Sequence, residues 1–283
     1  MTRYLITGAG GMLGQDLQQA LLGRAVTALT RAELDISDGS AVGAAVEGHD
    51  VVINAAAYTK VDDAETDEAT ARRVNAQGAE MLARAAVQSG ARLVHVSTDY
   101  VFAGTATTPY AEDTPTHPVS AYGRTKAEGE AFVRSVAPHS SYIVRGAWLY
   151  GAGGPNFAKT MLRLAASHDT VSVVTDQVGQ PTWTGDLARQ IVALLDADAP
   201  AGVYHGTNSG QASWFEFTKA IFAEAGLDPE RVLPTDSSAF VRPAPRPAYS
   251  VLGHDGWAAA GIAPMRDWRD ALHAAAAAGV LTA

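Results

Sequence analysis

The feature that most restricts the fold of this chain is its beginning. A short apolar run, 4–7, leads into G-A-G-G-M-L-G at 8–14. A helical apolar pattern follows at Leu13, Leu17, Ala20 and Leu21. Strand, glycine turn and helix in that order let the backbone turn sharply and approach a pyrophosphate. The helix N-terminus then presents free N–H groups and positive dipole charge to it. Gly8, Gly11 and Gly14 hold the spacing, with Gly10 as an extra glycine. A dinucleotide site at the first strand implies a Rossmann-type, doubly wound parallel sheet in an α/β fold.

The strands that such a sheet needs are legible further on. A second lies at 25–29 and ends at Thr30 and Arg31, where an NAD site usually has an acidic residue. An arginine there accommodates a 2′-phosphate, which favours NADPH and leaves NADH as the alternative. In L-D-I-S-D, Asp35 is either an adenine contact or a turn carboxylate, and Ser37 or Asp38 caps the next helix. A continuous apolar strand at 50–55 ends in N-A-A-A-Y-T. Small residues such as Ala55 and Ala56 let a cofactor lie against the main chain there. A long helix is expected over 71–90, with Gly90 as its stop. Asn75 within it bonds to a neighbouring backbone or faces solvent.

The fourth strand, 92–97, brings Thr98, Asp99 and Tyr100 to the same sheet edge, the substrate side. A polar, proline-containing loop, 104–118, is expected to be mobile or ordered by substrate. A helix from 120 to 136 carries Tyr122 and Lys126, which share one face. An ammonium beside a phenol favours the phenolate and makes the tyrosine a usable proton donor near neutral pH. A strand at 141–147 closes this half.

From about 151 the elements are shorter and less regular, so the chain divides into a nucleotide-binding region, 1–150, and a smaller α/β substrate-binding region, 151–283. A strand near 202–206 is expected to return to the main sheet. Thr184 is expected to cap the helix 185–195, and Ser213 the helix 214–225. An extended segment, R-P-A-P-R-P-A-Y at 242–249, exposes Arg242 and Arg246 as candidates for a diphosphate.

Composition removes several functions. Net charge is −9, which disfavours nucleic-acid and membrane-surface partners. The chain has no cysteine, which excludes disulfides, thiolate zinc and thiol nucleophiles. No run suits a signal peptide or a membrane span, so a cytoplasmic protein is expected.

These segments carry a resemblance. T-G-A-G-G-M-L-G, N-A-A-A, S-T-D-Y-V-F and Y-G-R-T-K resemble the extended short-chain dehydrogenase/reductase superfamily. Within it, N-A-A-A-Y-T-K-V-D-D-A-E (54–65), V-N-A (74–76), S-T-D-Y-V-F-A-G (97–104), D-Q-V-G-Q-P-T (176–182) and the late R-P (242–243) resemble the dTDP-4-dehydrorhamnose reductases. The resemblance implies NAD(P)H-dependent reduction of the C4 keto group of a dTDP-4-keto-6-deoxy sugar. By it, Tyr122 gives a proton to the keto oxygen, Thr98 hydrogen-bonds the same oxygen, and Lys126 holds the nicotinamide ribose and depresses the tyrosine pKa. Gly11, Met12 and Leu13 cradle the pyrophosphate. Asp35 and Ile36 flank adenine, and Ala57, Tyr58 and Thr59 line the path between. Asp99 and Trp148 contact the sugar nucleotide. The chain departs from the pattern at Tyr249, which stands before Ser250. Some relatives dimerise through magnesium; Asp16 is a candidate ligand without identified partners, so the metal stays unassigned and the chain is read as a monomer or homodimer. Two rival readings are a nucleotide-sugar epimerase or dehydratase of the same fold and a non-catalytic regulatory subunit. Asp99–Tyr100 after Thr98, where dehydratases carry an Asp-Glu pair, disfavours the first. The intact Thr98, Tyr122 and Lys126 disfavour the second.

Overall fold

The computed structural model describes residues 1–281. Its first half alternates strand and helix: β1 (Arg3–Thr7), α1 (Met12–Ala20), β2 (Ala25–Leu29), α2 (Gly39–Val46), β3 (Val51–Asn54), α3 (Glu68–Arg72), α4 (Ala79–Ser89), β4 (Arg92–Thr98), α5 (Ala121–Val136) and β5 (Ser141–Gly146). Next come β6 (Leu149–Tyr150), α6 (Phe157–Ser167), β7 (Val171–Val174), β8 (Val178–Gly179), β9 (Thr182–Trp183), α7 (Thr184–Asp196) and β10 (Gly202–His205). The chain ends with β11 (Ala212–Ser213), α8 (Trp214–Glu224), β12 (Val232–Thr235), α9 (Asp255–Ala259) and α10 (Trp268–Ala277). Residues 282 and 283 of the expected second region lie outside the described residues.

Six strands form one parallel sheet in the order β10-β5-β4-β3-β1-β2. Successive residues of a strand face opposite sides. Tyr4, Ile6, Ile53 and Val144 accordingly pack with Leu13, Leu17, Leu187 and Ile191 from α1 and α7. Leu5, Val52 and Ile143 pack on the other side with Val42, Leu82 and Val133 from α2, α4 and α5. Both faces are covered, which is why these strands read as unbroken apolar runs. Strand order reverses between β1 and β3, so the sheet's C-terminal edge opens a crevice there.

The strand at Gly202–His205 pairs with β5 at the edge of this sheet, so the chain re-enters the first half after leaving it. The remaining elements of the second half form three two-stranded pairs, β6 with β9, β7 with β12 and β8 with β11. β6, β9 and β11 pack with α6, α8 and α10 around Tyr150, Phe217, Trp268 and Leu272, and β7 and β12 pack with α6 and α8 around Met161 and Phe222.

Local expectations hold in part. Asp38 rather than Ser37 caps α2, accepting from the N–H groups of Ser40 and Ala41. Ser213 caps α8 in a full capping box with Glu216. Thr184 is not a cap: it is the first residue of α7, and its hydroxyl donates to the Asp16 carboxylate and to the Tyr150 carbonyl. The helix expected over 71–90 starts earlier, at Glu68, ends at a left-handed Gly90, and is interrupted by a π turn at Arg73–Gly78. Loop 104–118 is pinned at its middle. The Tyr110 phenol oxygen accepts from the N–H groups of Gly104, Thr105 and Ala106, its ring stacks on Phe102 at 4.2 Å, and its backbone pairs with Val251 and Gly253.

Candidate active site

The crevice between β1 and β3 is a cleft of about 500 Å³. Its floor is main chain. Gly8, Gly10, Gly11, Met12, Leu13 and Gly14 line it from the turn after β1. Ala55, Ala56, Ala57, Tyr58 and Thr59 line it from the end of β3, and Arg31, Asp35 and Ile36 from beyond β2. Gly8 has φ +72°, and a Cβ there would lie 2.6 Å from the Ala56 nitrogen, so only glycine lets these two strand ends approach. No side chain caps α1, whose first N–H groups stay available to an anion.

Tyr122 and Lys126 line the same cleft, so the helix α5 face and the glycine turn meet at one site. Ser120 caps α5 and fixes where its first turn begins. Thr98 ends β4, and its hydroxyl donates to the Asp99 carboxylate at 3.0 Å and accepts from the Tyr100 N–H. Lys126 Nζ donates to the Val96 carbonyl at 2.6 Å.

One expectation fails in this structure: the tyrosine pKa is not depressed by the lysine. Burial pushes Tyr122 up to about 12, opposed only by the Thr98 hydrogen bond. Burial also holds Lys126 down, to about 8, with Glu130 pulling the other way. The ammonium is spent on a main-chain carbonyl rather than on the phenol. Asp99 is buried and its carboxyl is raised by that burial to about 6, with hydrogen bonds from Ser250 and Thr98 acting against it. Tyr100 stands edge-on to Tyr122, ring centroids 5.6 Å apart, and burial pushes its phenol upward too.

Asn75 joins the two sides of the site. It is 1% exposed, at the centre of the π turn. Its Oδ1 accepts from the Tyr58 N–H at 2.8 Å, and its Nδ2 donates to the Tyr58 carbonyl and to Thr125 Oγ1. The Thr125 hydroxyl in turn donates to the Tyr122 carbonyl. One amide thus fixes the cleft wall at Tyr58 and the helix that carries Tyr122 and Lys126. Of the two readings of Asn75, the backbone-bonding one is what the structure shows.

Trp148 lies outside this cleft wall. Its backbone adopts φ +47°, a region that bulky residues avoid. Its indole stacks on Trp214 at 3.4 Å and lies against Gly179, where a Cβ would come within 2.5 Å of the ring. Arg242 is exposed and acts on Asp62 through space. Arg246 is not exposed as expected: it is half-buried, because its Nη2 pairs with Asp62 Oδ2 at 2.9 Å and its Nη1 with the Ala244 carbonyl. Asp16 accepts from Thr184, and among the described residues no group of three or more His, Asp or Glu is placed to hold a metal. No helix is long and apolar enough to cross a membrane among the described residues.

The sequence reading missed part of the cleft. Gly153, Gly154 and Pro155, from the second half, line it, as do Ser97 and Val74. The G-A-G-G-P run after the strand at 141–147 is the one signal for the first three. Trp214 and Ser250 had no local signal.

At 54% identity, the chain is similar to a dTDP-4-dehydrorhamnose reductase of Streptomyces griseus, over 95% of this chain and 91% of that protein. At 51% identity it is similar to a probable dTDP-4,6-dihydroxy-2-methyloxan-3-one 4-ketoreductase of Streptomyces antibioticus, over 96% and 94%. Among solved structures, a dTDP-4-dehydrorhamnose reductase of Bacillus anthracis in complex with NADP superposes with a TM-score of 0.93. It is 40% identical and is covered over 99% of its chain by 97% of this one. The family described as RmlD substrate binding domain matches residues 2–280, and the chain belongs to that family.

Proposed function

We propose that the chain reduces the C4 keto group of dTDP-4-dehydro-L-rhamnose to the alcohol, with NADPH as the hydride donor. The observation that carries this reading is the meeting of two hydroxyls, Thr98 and Tyr122, and one buried amine, Lys126, beside a cleft floored by bare main chain. The residues fit a dinucleotide: a side chain at Gly8 would fill the floor, and the uncapped α1 faces it.

When bound, the reduced nicotinamide supplies a hydride to the substrate carbonyl carbon. Glycines 8, 11 and 14 and the α1 N-terminus would hold the pyrophosphate, Asp35 and Ile36 would flank the adenine, and Arg31 would meet a ribose 2′-phosphate. Tyr58 and Thr59, steadied by Asn75, line the path between. Lys126, which lines the cleft, would hold the ribose hydroxyls when the cofactor is bound. As negative charge develops on the carbonyl oxygen, the Thr98 and Tyr122 hydroxyls stabilise it, and the Tyr122 O–H proton completes the alcohol. The region 1–150 holds the cofactor, with Gly153, Gly154 and Pro155 at the same cleft, and the region 151–283 supplies most of the sugar-nucleotide contacts. Arg242 and, from the first region, Trp148 belong to the sugar wall.

The test is NADPH oxidation with dTDP-4-dehydro-L-rhamnose formed in place, with the product identified by NMR. A second keto sugar is a real competitor: a relative at 51% identity is named for a different 4-ketoreduction, and Tyr249–Ser250 departs from the pattern near the site. Turnover of another dTDP-4-keto-6-deoxy sugar with none of this one would move the assignment there. Absence of NADPH consumption with every such sugar would end it.

A further inference from the structure

We propose that the segment 238–243 is a strap that holds the nucleotide half of the sugar nucleotide, with the Phe240 ring stacked on the base and Arg242 meeting the diphosphate. This deepens the reduction proposed above and rests on it for the identity of the ligand.

Both ends of the strap are tied, and each tie lies at the site. Ser237 opens it. Its N–H and hydroxyl donate to the Asp176 carboxylate, and its Oγ accepts from Gln177 Nε2 at 2.8 Å. Gln177 Oε1 in turn accepts from Trp214 Nε1 at 3.2 Å, and Trp214 stacks on Trp148. The first tie is therefore continuous with the wall proposed to face the sugar. The second tie is Asp62. Its carboxylate accepts from the Ala244 N–H at 3.2 Å and from Arg246 Nη2 at 2.9 Å. Asp62 follows Val61, which packs with Tyr58, Tyr100 and Tyr122. Just beyond, a Cβ at Gly104 would come within 2.5 Å of Pro247, and the Tyr249 N–H donates to the Gly104 carbonyl at 3.0 Å. The strap thus runs from the Trp148 wall to the surroundings of Tyr122. Phe240 stands four residues before Ala244, a span of at most about 14 Å, so its ring stays at the mouth of the site.

Between the ties the chain is bare. Residues 238–243 are all exposed, whereas Ala244 is buried. Phe240 is 44% exposed and Val241 88%. Among the described residues, Phe240 is the one aromatic side chain that is exposed, and it takes part in none of the ring stacks of the second half. Arg242, two residues on, acts on Asp62 through space but has neither a hydrogen bond nor an ion pair among the described residues. Pro243 holds it extended. A flat apolar face and an unpaired guanidinium so close together match the two chemistries of a nucleoside diphosphate, a π-faced base and a multiply charged anion. A docking tip for another protein would need the same exposure, but not ties to the Trp214 stack and to the neighbour of Val61. Stacking tolerates any base, so the strap supplies affinity for the nucleotide without choosing thymine.

The test is binding of dTDP, which carries the base and the diphosphate but no reactive sugar, measured by calorimetry on the NADPH-loaded protein. Phe240→Ala is expected to weaken dTDP roughly ten-fold, UDP by the same factor and inorganic diphosphate not at all, with NADPH affinity and thermal unfolding unchanged. Phe240→Trp is expected to keep dTDP affinity, and its indole emission in excess of wild type is expected to be quenched by dTDP. Arg242→Ala is expected to weaken dTDP and inorganic diphosphate alike. Unchanged dTDP affinity in Phe240→Ala overturns the base contact and leaves the exposed ring to a protein partner. An equal loss of NADPH affinity makes the strap part of the cofactor site and overturns the proposal as well. A wild type that reduces a keto sugar while Phe240→Ala binds dTDP normally ends this inference alone. A wild type that binds dTDP through Phe240 but reduces no keto sugar ends the proposed reaction and leaves the nucleotide strap standing.

Discussion

The two walls of the site are made of different materials. The wall proposed to hold the cofactor is main chain and small residues: Gly8, Gly11, Ala55 and Ala56, each within a few positions of a strand end. The wall expected to face the sugar is made of large side chains brought from far apart. Trp148 is held in a left-handed backbone conformation by a stack on Trp214 and by the flat face of Gly179. Arg246 is held by Asp62 from the opposite half. A backbone cradle recognises what is common to all dinucleotides, a pyrophosphate. A cage of side chains can be rebuilt position by position for another sugar while the hydride chemistry stays where it is.

That contrast can be broken by experiment. The largest effect is expected at the junction of the walls. Tyr122→Phe should lower kcat by roughly 10²–10⁴-fold while NADPH binding, followed by nicotinamide fluorescence, stays intact; near-normal turnover would remove the proton donor. Next is the seam beneath it. Arg145 pairs with Glu130 at 2.7 Å, both nearly fully buried, and also reaches the Glu112 carbonyl and His205. Arg145→Met leaves Glu130 buried and unpaired, at a cost of about 3–5 kcal/mol readable in urea unfolding. Stability unchanged would mean that the seam between α5, β5 and loop 104–118 is held elsewhere. Trp214→Ala removes the support of Trp148. It is expected to raise KM for the sugar nucleotide roughly ten-fold, the effect of about 1.4 kcal/mol, without moving the cofactor Kd. Equal changes in both would mean that the two walls are not independent. Smallest is Arg31→Ala, expected to weaken NADPH several-fold, for a lost charge-assisted contact of about 1 kcal/mol, and NADH hardly at all. An equal loss for both would detach Arg31 from the 2′-phosphate.

The same contrast explains what could be read in advance. Glycine spacing, apolar strand runs and the Tyr122–Lys126 interval are local, because main-chain geometry and helix phase are set by near neighbours. They led to the parallel sheet and to the cleft wall as far as Thr59. Apart from the early start and π turn of the helix at 68–89, the failures were long-range. Arg246 looked solvated because nothing near it in the chain reveals Asp62. Thr184 looked like a cap because its partner, Asp16, lies on α1. The phenol pKa was expected to fall because spacing shows that Lys126 is near but not how deeply the fold buries Tyr122, which raises it. Loop 104–118, polar and proline-bearing, is tied down by the Tyr110 phenol and by backbone bonds to 249–253, partners that lie far along the chain.

The π turn at Arg73–Gly78 gives the helix from Glu68 to Ser89 two independent phases. Its first part aims Glu68 and Arg72 at Arg124 and Glu128, forming two ion pairs that run along α5. Its second part turns Leu82, Ala83 and Ala86 onto the sheet. A regular helix with one residue fewer would rotate one part against the other by about 100°, and could satisfy α5 or the sheet but not both. The extra residue is therefore a phase adjuster. It lets one continuous helix serve two partners set at different angles, and its wide turn is the place where Asn75 reaches both Tyr58 and Thr125.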